Sequence, residues 1–274
     1  MDNHFGFSQE GVRQYTCYRA PSAPVIDGRL DEPCWQQAPR SPRFEDLACG
    51  RPGLLDTRAA LLWNDECLFV GYWIEEPFLQ ASLTARDSFI WNDNDVELFI
   101  AGRDAYYELE INALGTIYEV LWVWKDAYRR GSRFDAPELD LLNQRVQTLG
   151  DFGHHHPRGA RWGFLDWDFP GLQVAVQLDG TLNDDRDIDR GWTVEIALPW
   201  RGMKWLADDR ALPPCDGDEW RLDLSRFEQV REHGTTLSAG WAFNCHTVFD
   251  SHVPERFTRI SFSSQSVAEV PGTP

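Results

Sequence analysis

The residues best suited to chemistry lie between Trp91 and Phe99, where the chain reads Trp-Asn-Asp-Asn-Asp-Val-Glu-Leu-Phe. Residues 92–95 favour a turn, because short Asn and Asp side chains bond back to their own backbone. An aromatic ring beside carboxylates and amides suits sugar recognition, since a pyranose stacks on the ring and its hydroxyls need polar partners. The alternative is that Trp91 is a core residue and the acids are solvated. Side-chain statistics favour that alternative, because tryptophan is usually largely buried.

The residues after this turn alternate in the manner of a β-strand. One face of the strand is apolar and carries Val96, Leu98 and Ile100. The opposite face carries Asp95, Glu97 and Phe99. Because the apolar face claims the core, Glu97 is expected to leave it. Trp91 precedes the strand by a polar turn, so its direction is free of this constraint. We predict that Trp91 lies at a cleft edge with its ring partly open and that Glu97 points into the same cleft, and the expectation that both face one ligand is what the family resemblance given below implies.

Composition limits the class of partner. The chain has 274 residues, with 13 Trp and 16 Phe, which is enough for one large core and leaves aromatic candidates for a binding surface. Its formal charge of −18 would repel a phosphate backbone or an anionic membrane. No stretch approaches the ~20 apolar residues of a membrane span. A neutral ligand or a cation fits this balance better than nucleic acid or a membrane.

The cysteines and the first residues bear on the compartment. Six cysteines, at 17, 34, 49, 67, 215 and 245, form no Cys-x-x-Cys pair and match no zinc spacing. They are expected to be mostly buried free thiols, as in a reducing compartment. Residues 1–20 show no basic start followed by an apolar run, so no signal peptide is visible. We expect a cytoplasmic protein, or a secreted one if the sequence is a trimmed form.

Almost every periodic segment of the chain has period two. The predicted strands are a hairpin over 57–63 and 67–74, a meander over 95–101, 106–112 and 117–125, and later segments at 172–178, 192–198, 220–227, Trp241 and 260–262. Short helices are predicted after Pro33, anchored by Leu30, Cys34 and Trp35, and after Pro199. The fold class is therefore all-β, an antiparallel β-sandwich with short helical caps.

The predicted organisation is one domain with polar ends. Residues 1–17 form an N-terminal arm, 18–262 the sandwich, and 263–274 a C-terminal tail. Residues 126–170 lack clear periodicity and are predicted to be a long loop or insertion, which is often functional. Seven residues are predicted to be buried by alternation: Val96, Leu98, Val174, Val176, Val194, Ile196 and Leu224.

Five segments, in order, resemble carbohydrate-binding module family 9 and its larger single-domain relatives. They are 24–28 with Asp31, Glu32 and Trp35; 91–99; 107–112 with Gly115; 191–200; and 254–257. The likeness runs from about residue 18 to 262. It implies a β-sandwich and non-catalytic recognition of a saccharide, often at the reducing end of a chain. It implies no cofactor, although calcium occurs in the family as a structural ion.

The resemblance also implies roles for single residues. Trp91 is similar to the family's first stacking tryptophan, and Glu97 to its sugar-binding glutamate. The second tryptophan, which precedes the terminal Pro-x-x-Phe segment, is missing here, and Phe249 or His252 are its lesser substitutes. The position of a sugar-binding arginine holds Glu110. The predicted carbohydrate-binding residues are Trp91, Glu97, Asp95, Asn112, Phe249 and His252.

Metal and acid-pair sites are weaker alternatives. Residues 154–156, His-His-His, resemble a metal clip, but adjacent positions point in different directions, which favours a solvated loop. Asp93 and Asp95 could bind calcium through oxygens, although the segment is not an EF-hand loop. The metal ligands are left unknown. The acids Glu97, Glu108, Glu110 and Glu195 could supply a glycosidase pair, yet their spacing recurs in every strand.

Three functions stay open on the sequence alone. The first, which we favour, is non-catalytic binding of an oligo- or polysaccharide by a monomer. The second is a glycan-active hydrolase that uses an Asp/Glu pair. The third is an interaction domain that has kept the fold and lost the sugar site. The expected partners exclude nucleic acid and membranes.

Overall fold

The period-two segments form strands in the computed structural model, which describes residues 5–232 and 235–270. The described residues contain fourteen strands: β1 Gln14–Arg19, β2 Glu45–Asp46, β3 Thr57–Trp63, β4 Cys67–Glu75, β5 Asp95–Ala101, β6 Ala105–Asn112, β7 Ile117–Trp124, β8 Val146–Leu149, β9 Arg161–Phe164, β10 Gln173–Asp179, β11 Gly191–Pro199, β12 Glu219–Glu232, β13 Thr235–Ala242 and β14 Thr258–Ser266. One short helix, α1, spans Pro33–Gln37, and 3₁₀ turns span Ile90–Asn92, Pro137–Leu139, Trp200–Trp205, Pro254–Arg256 and Val267–Glu269.

The strands follow one continuous hydrogen-bonded path that folds over on itself. Its order is β10-β11-β4-β3-β1-β14-β12-β5-β6-β7-β9-β8, with β13 paired to β12 and to β2. The main core takes side chains from both halves of the path, such as Val70 and Ile196 from one half and Leu98 and Leu109 from the other. The Tyr72 hydroxyl of β4 also donates to a backbone carbonyl of β5 at 2.7 Å. The predicted β-sandwich is therefore confirmed.

The sheet is mixed, not purely antiparallel as predicted. Strand β1 lies parallel to β14 on one side and to β3 on the other. Both parallel neighbours are separated from β1 by long stretches of chain, and only such connections allow parallel pairing. Alternation within a strand carries no information about the direction of its neighbours, so the orientation of β1 could not be predicted.

The short helical caps form where prolines predicted them. Pro33 occupies the first turn of α1, and Cys34 and Trp35 are buried. The indole of Trp35 donates to Glu195 of β11 at 2.8 Å, and the backbone N–H of Gly28 donates to the same carboxyl at 3.2 Å. Gly28 has a φ of +85°, and an added Cβ would lie 2.7 Å from the backbone of Val176, so the turn requires glycine.

The predicted boundaries are wrong at three places. Residues 126–170 hold β8 and β9, and β9 extends the sheet by pairing with β7. These strands are four residues each and lie between Gly- and Pro-containing loops, which hides their period. Strand β1 starts inside the predicted arm of residues 1–17, with Tyr15 and Cys17 buried. At the other end, β14 continues to Ser266, inside the predicted tail, while residues 1–4 and 271–274 lie outside the described residues.

Five of the seven predicted core residues are fully buried: Val96, Leu98, Val194, Ile196 and Leu224. Val174 and Val176 are only half-buried, so that part of the prediction is wrong. The reason is that β10 is an edge strand, paired with β11 alone. An edge strand has less cover on its apolar face than a central one.

The thiols are less buried than predicted. All six cysteines are free, and Cys17 and Cys34 are buried as expected. Cys49 and Cys215 are exposed, however, and Cys67 and Cys245 are intermediate. In the described part of the chain, no helix has the length and apolar character needed to cross a membrane.

Val194 and Val176 offer a matched test of this core. They face each other across the β10–β11 pair, but Val194 is fully buried and Val176 is half-buried. Val194→Ala should lower the free energy of unfolding by about 2–3 kcal/mol, and Val176→Ala by about 1 kcal/mol or less, because less apolar area is lost. Urea denaturation of both variants measures this. Equal losses would contradict the edge position of β10.

Candidate functional site

Four acidic side chains lie together on the outer face of β5 and β6. The strand register places Glu97 opposite Glu110 and Phe99 opposite Glu108. We call Asp95, Glu97, Glu108 and Glu110 the acidic patch. Their exposed fractions are only 0, 5, 4 and 2 %, so the interpretation of these acids as solvated is wrong. Glu97 points away from the central core, as the alternation of the strand predicts, yet it is buried on the outer face of the sheet.

The acidic patch is buried because the chain crosses it again near the C-terminus. Residues 244–257, here called the cover segment, lie over the outer face of β5. The Ser251 hydroxyl donates to Glu97 Oε2 at 2.9 Å, and the Ser225 hydroxyl of β12 donates to the same oxygen at 3.1 Å. Phe257 packs on Phe99 with ring centroids 5.7 Å apart. Glu97 is therefore held by two hydroxyls beneath a layer of protein.

Burial changes the protonation of the patch. It raises the pKa of Asp95, Glu97 and Glu110 well above the ordinary range, and repulsion among neighbouring carboxylates raises the pKa of each one further. Burial likewise raises the pKa of Glu108 to about 7, against the hydrogen bond that the Trp122 indole donates to it. The patch therefore favours protons or a cation over free negative charge.

Trp91 lies at the rim of this patch. It belongs to the 3₁₀ turn Ile90–Asn92 and is 38 % exposed. Phe89, itself 53 % exposed, stacks on it with centroids 4.5 Å apart and planes 22° apart. Tyr118 of β7, which stands opposite Glu110, meets Trp91 edge-on at 5.1 Å. Trp91 is thus a partly open ring whose position is fixed by two other aromatic rings.

A second exposed ring lies on the other side of the patch. Phe249 of the cover segment is 52 % exposed and meets Phe227 of β12 edge-on at 5.8 Å. Phe227 pairs with Asp95 in the sheet. Trp91 is placed next to β7 and Phe249 next to β12, so the two rings flank the β5–β6 pair that carries the acids. This arrangement offers apolar faces at the surface above a polar floor.

Comparison with known proteins points to one family. Residues 55–173, which include Trp91 and Glu97 but not Phe249, match the family model described as carbohydrate-binding family 9. The fold is similar to a family 9 carbohydrate-binding module from Caldicellulosiruptor kristjanssonii solved with cellotriose, at 14 % identity over 95 % of this chain and 100 % of that one, with a TM-score of 0.53. This chain therefore shares the β-sandwich fold of that module.

Two further solved structures share the fold. A family 9 carbohydrate-binding module from Caldicellulosiruptor kristjanssonii, solved in complex with glucose, is 13 % identical over 92 % of this chain and 97 % of that one, with a TM-score of 0.53. A candidate carbohydrate-binding protein from Bacteroides uniformis ATCC 8492 is 14 % identical over 92 % of this chain and 100 % of that one, with a TM-score of 0.59. Among curated proteins, none matches the chain significantly.

Asn112 is not free to bind a ligand, contrary to the prediction. Its amide group donates to the Leu83 carbonyl at 2.9 Å and to Asp93 at 3.0 Å. Its oxygen accepts the backbone N–H groups of Leu114 and Thr116 at 3.1 and 3.0 Å. All four hydrogen-bonding positions of the side chain are occupied, so Asn112 holds the β6–β7 turn.

Asp93 is likewise occupied by the chain itself and does not pair with Asp95 as a calcium ligand. It accepts the Ser82 backbone and hydroxyl at 2.9 and 2.8 Å and the Leu83 backbone at 2.9 Å. Burial raises its pKa, but these hydrogen bonds bring the pKa below its ordinary value. Asp93 anchors residues 82–83 beside Asn112.

His252 is packed inside the domain and does not serve as a stacking surface. Its Nδ1 atom lies 3.0 Å from the Tyr106 hydroxyl, and its ring meets Phe99 and Trp122 edge-on at 5.3 and 5.4 Å. Burial lowers its pKa to about 3, so it is neutral at physiological pH. Of the two substitutes for the missing tryptophan, only Phe249 has an exposed ring.

The three consecutive histidines do not form a metal clip. His154 Nδ1 lies 3.1 Å from Asp250, whereas His156 is buried with Nε2 2.9 Å from Glu255, and His155 is exposed. Each ring therefore has a different environment. Among the described residues, the one group of three metal-ligand types within reach of a common ion is Asp95, Glu97 and Glu110.

Several contributors to the site were not found from the sequence. Ser225 and Ser251 reach Glu97 from β12 and from the cover segment, and both are distant from it along the chain. Alternation cannot reveal contacts between distant segments. Phe89 was missed although it carries a signal, since it stands two residues before Trp91 in a polar, turn-forming stretch.

The His154–Asp250 pair ties residues 150–160 to the cover segment and should depend on pH. The hydrogen bond with Asp250 raises the pKa of His154, while burial of Asp250, which would raise its pKa, is outweighed by hydrogen bonds that bring it to about 2. The stabilisation by charged His154 is complete below about pH 6.5 and is lost as the pH rises through the raised value.

We therefore expect His154→Ala to cost more stability at pH 5.5 than at pH 9. The difference should not exceed about 1 kcal/mol, because the His154 side chain is half exposed and solvent screens the pair. Urea denaturation at both pH values measures it, with His155→Ala as the control for the exposed neighbour. A cost that does not change with pH would show that the ion pair contributes nothing.

Proposed function

We propose that this domain binds a saccharide without altering it chemically, and that Trp91 and Phe249 form the stacking surface. The observation that carries the proposal is the partly exposed ring of Trp91, 38 % open, within the segment that matches the family 9 model. Two structural neighbours bind cellotriose and glucose, and their fold covers nearly this whole chain. A neutral oligo- or polysaccharide bound by the monomeric chain is the partner that fits best.

The chemistry of the two rims supports a neutral sugar. Exposed aromatic rings accept the apolar C–H face of a pyranose, while nearby side-chain amides and carboxylates bond its hydroxyl groups. The amide of Gln229 donates to the backbone carbonyl of Trp91 at 2.8 Å, and Asn92 follows Trp91 in the chain, so both amides belong to the same surface. A net charge of −18 disfavours acidic polysaccharides for the same reason that it disfavours nucleic acid.

The affinity is expected to be weak. Phe89 covers one face of Trp91, so a sugar can stack only on what remains open of this ring pair. Phe249 is smaller than the tryptophan that the family places near this position. Each stacking contact contributes about 0.5–1.5 kcal/mol beyond area burial, by analogy with ring pairs. The dissociation constant should lie nearer millimolar than micromolar, which corresponds to a binding free energy of about −4 kcal/mol.

Removal of either ring should weaken binding. We expect Trp91→Ala and Phe249→Ala each to raise the dissociation constant by about 2- to 13-fold, which corresponds to 0.5–1.5 kcal/mol. A glycan array first identifies a bound saccharide, and calorimetric titration then compares the variants with the unmodified protein. Circular dichroism checks that the fold is intact. Phe152→Ala is the matched control, because Phe152 is an aromatic residue with 97 % exposure in another loop.

Other outcomes would overturn this assignment in different ways. Unchanged binding by both ring variants would place the sugar elsewhere, and a loss on Phe152→Ala alone would place it on residues 126–170. Absence of any bound glycan would favour an interaction domain that has lost the sugar site.

The geometry argues against glycoside hydrolysis. A glycosidase needs two carboxyl groups that flank the bond to be cleaved. Glu97 and Glu110 stand directly opposite each other on neighbouring strands, and only 5 and 2 % of each residue is exposed. Ser251 of the cover segment lies against the carboxyl group of Glu97. Burial of both carboxyl groups therefore supports binding without hydrolysis.

We therefore expect no release of reducing sugar from a panel of polysaccharides. The assay compares the unmodified protein with Glu97→Gln, which keeps the shape of the side chain and removes its acid. Release by the unmodified protein that disappears in Glu97→Gln would establish the hydrolase alternative. Release that is equal in both would point to a contaminating enzyme.

A further inference from the structure

A groove of about 700 Å³ lies at the end of the strand path that is remote from β5 and β6. Its size is in the range typical of small-molecule sites. The strand register places four of its lining residues in one row across the sheet. From β3 through β4 and β11 to β10, the row is Arg58, Trp73, Thr193 and Gln177. This groove is therefore separate from the acidic patch and from Trp91.

Arg40, which also lines the groove, lies over the ring of Trp73. Its guanidinium carbon is 3.9 Å from the ring centroid, and Trp73 is held edge-on by the buried ring of Trp35 at 6.4 Å. An arginine stacked on an indole has its N–H groups at the edge of the guanidinium plane, where they match a planar carboxylate in a bidentate manner. Stacking thus holds Arg40 as a donor fork at the surface of the groove.

The backbone on both sides of Arg40 is fixed. The Pro39 carbonyl accepts the Tyr15 hydroxyl at 2.7 Å. The Ser41 N–H donates to the Ala59 carbonyl at 2.7 Å, and the Ser41 hydroxyl accepts the Ala59 N–H at 3.0 Å. Because Ala59 belongs to β3, these bonds hold Arg40 beside the first strand of the row. A binding group mounted on a fixed backbone loses little entropy when a ligand arrives.

Arg40 differs from the other cations that lie over aromatic rings in the described part of the chain. Each of the others also donates to a carboxylate or a carbonyl. Arg19, for example, lies over Trp63 and pairs with Asp65 at 2.8 Å. Among the same residues, the contact that fixes the Arg40 side chain is the Trp73 ring alone. Arg40 is thus oriented by the protein but lacks an acceptor for its N–H groups.

The charges around Arg40 leave it available for an anion. The other arginines of the groove pair with acids that also line it: Arg29 with Asp31, Arg58 with Asp56, and Arg190 with Asp179. Partial burial, and then repulsion from Arg58, lower the pKa of Arg40. A carboxylate bound by Arg40 would offset this repulsion, since opposite charges in contact favour the charged form of each other.

We propose that this groove binds a carboxylate-bearing sugar, a hexuronic acid, and that Arg40 receives the carboxylate. The floor of the groove supplies acceptors for the hydroxyl groups of the sugar. The Thr193 hydroxyl donates to the Gly28 carbonyl at 2.6 Å, and the Gln177 amide donates to the Leu178 carbonyl at 2.8 Å. Both side chains keep an oxygen that accepts hydrogen bonds.

The acidic character of the chain does not oppose a ligand of this size. The formal charge of −18 disfavours a long acidic polymer, which carries many charges past the whole surface. A single sugar acid has one charge and meets Arg40 by direct contact. At physiological ionic strength, exposed charges more than about 8 Å away are largely screened.

The test is calorimetric titration of sodium glucuronate, with glucose as the neutral ring and acetate as the free carboxylate. Arg40→Ala should weaken glucuronate binding by about tenfold or more, because hydrogen bonds to charged groups contribute at least about that factor. Arg40→Lys keeps the charge without the fork and should restore only part of the affinity. Arg130→Ala is the matched control, since Arg130 is an exposed arginine of another loop, and it should bind normally.

Glu75 provides a test in the opposite direction. It lines the same groove, and its carboxylate accepts the Asp56 N–H at 2.7 Å. Glu75→Gln keeps an acceptor for this N–H and removes a charge that repels an anion. Glucuronate should therefore bind more tightly, by up to about fivefold for an exposed charge. Weaker binding by Glu75→Gln would contradict an anionic ligand.

The Trp91→Ala variant separates this groove from the stacking surface. It should bind glucuronate as the unmodified protein does, whereas neutral glycans should bind to Arg40→Ala as they do to the unmodified protein. If glucuronate binds and no neutral glycan does, the stacking surface fails and the groove assignment stands. Loss of glucuronate binding in Trp91→Ala would overturn the groove assignment.

Three further results would overturn it, with circular dichroism to check that each variant is folded. The first is no glucuronate binding by the unmodified protein, and the second is equal affinity in Arg40→Ala. The third is acetate binding as tight as that of glucuronate, which would assign Arg40 to a free carboxylate without a sugar ring.

Discussion

Burial of charge on the outer face of β5 and β6 is the constraint on which the rest of the site depends. A sheet face that carries four acids would ordinarily be left to water, but here the cover segment lies across it. Arg161 of β9 holds this arrangement together. It is fully buried and donates to the Tyr106 hydroxyl at 3.0 Å and to the carbonyls of His154 and His252 at 3.0 and 2.9 Å. One guanidinium thus joins the sheet, the histidine loop and the cover segment.

This construction separates two properties that a sugar site usually combines. The stacking rings, Trp91 and Phe249, lie at the surface and are held by other aromatic rings. The acids lie beneath, where hydroxyl donors reach only part of them. The exposed rings are suited to recognition, while the buried acids are suited to setting the local charge. The rings and the acids can therefore serve these roles separately.

Much of the fold was predictable because alternation reports burial directly. Leu98, Val194 and Leu224 are all buried, as the alternation of their strands predicts. Alternation also predicted that the Glu97 side chain would point away from the central core. It could not predict that Glu97 would be buried on the other side, because that depends on Ser251 and the cover segment, 154 residues away along the chain. The same limitation explains Val176, whose half-burial follows from the edge position of β10, and the parallel neighbours of β1.

The position of β1 between β14 and β3 has a consequence for how the chain acquires its structure. One of the first strands to be synthesised pairs along most of its length with the last, from Gln14 opposite Arg259 onwards. The two halves of the sheet are joined through this pair, so the continuous path is complete only when β14 has left the ribosome. Contacts this distant in sequence slow folding, since a long loop must close before they form. Until β14 is synthesised, β1 and β12 each have an edge that lacks its partner, the condition under which β-rich chains associate wrongly.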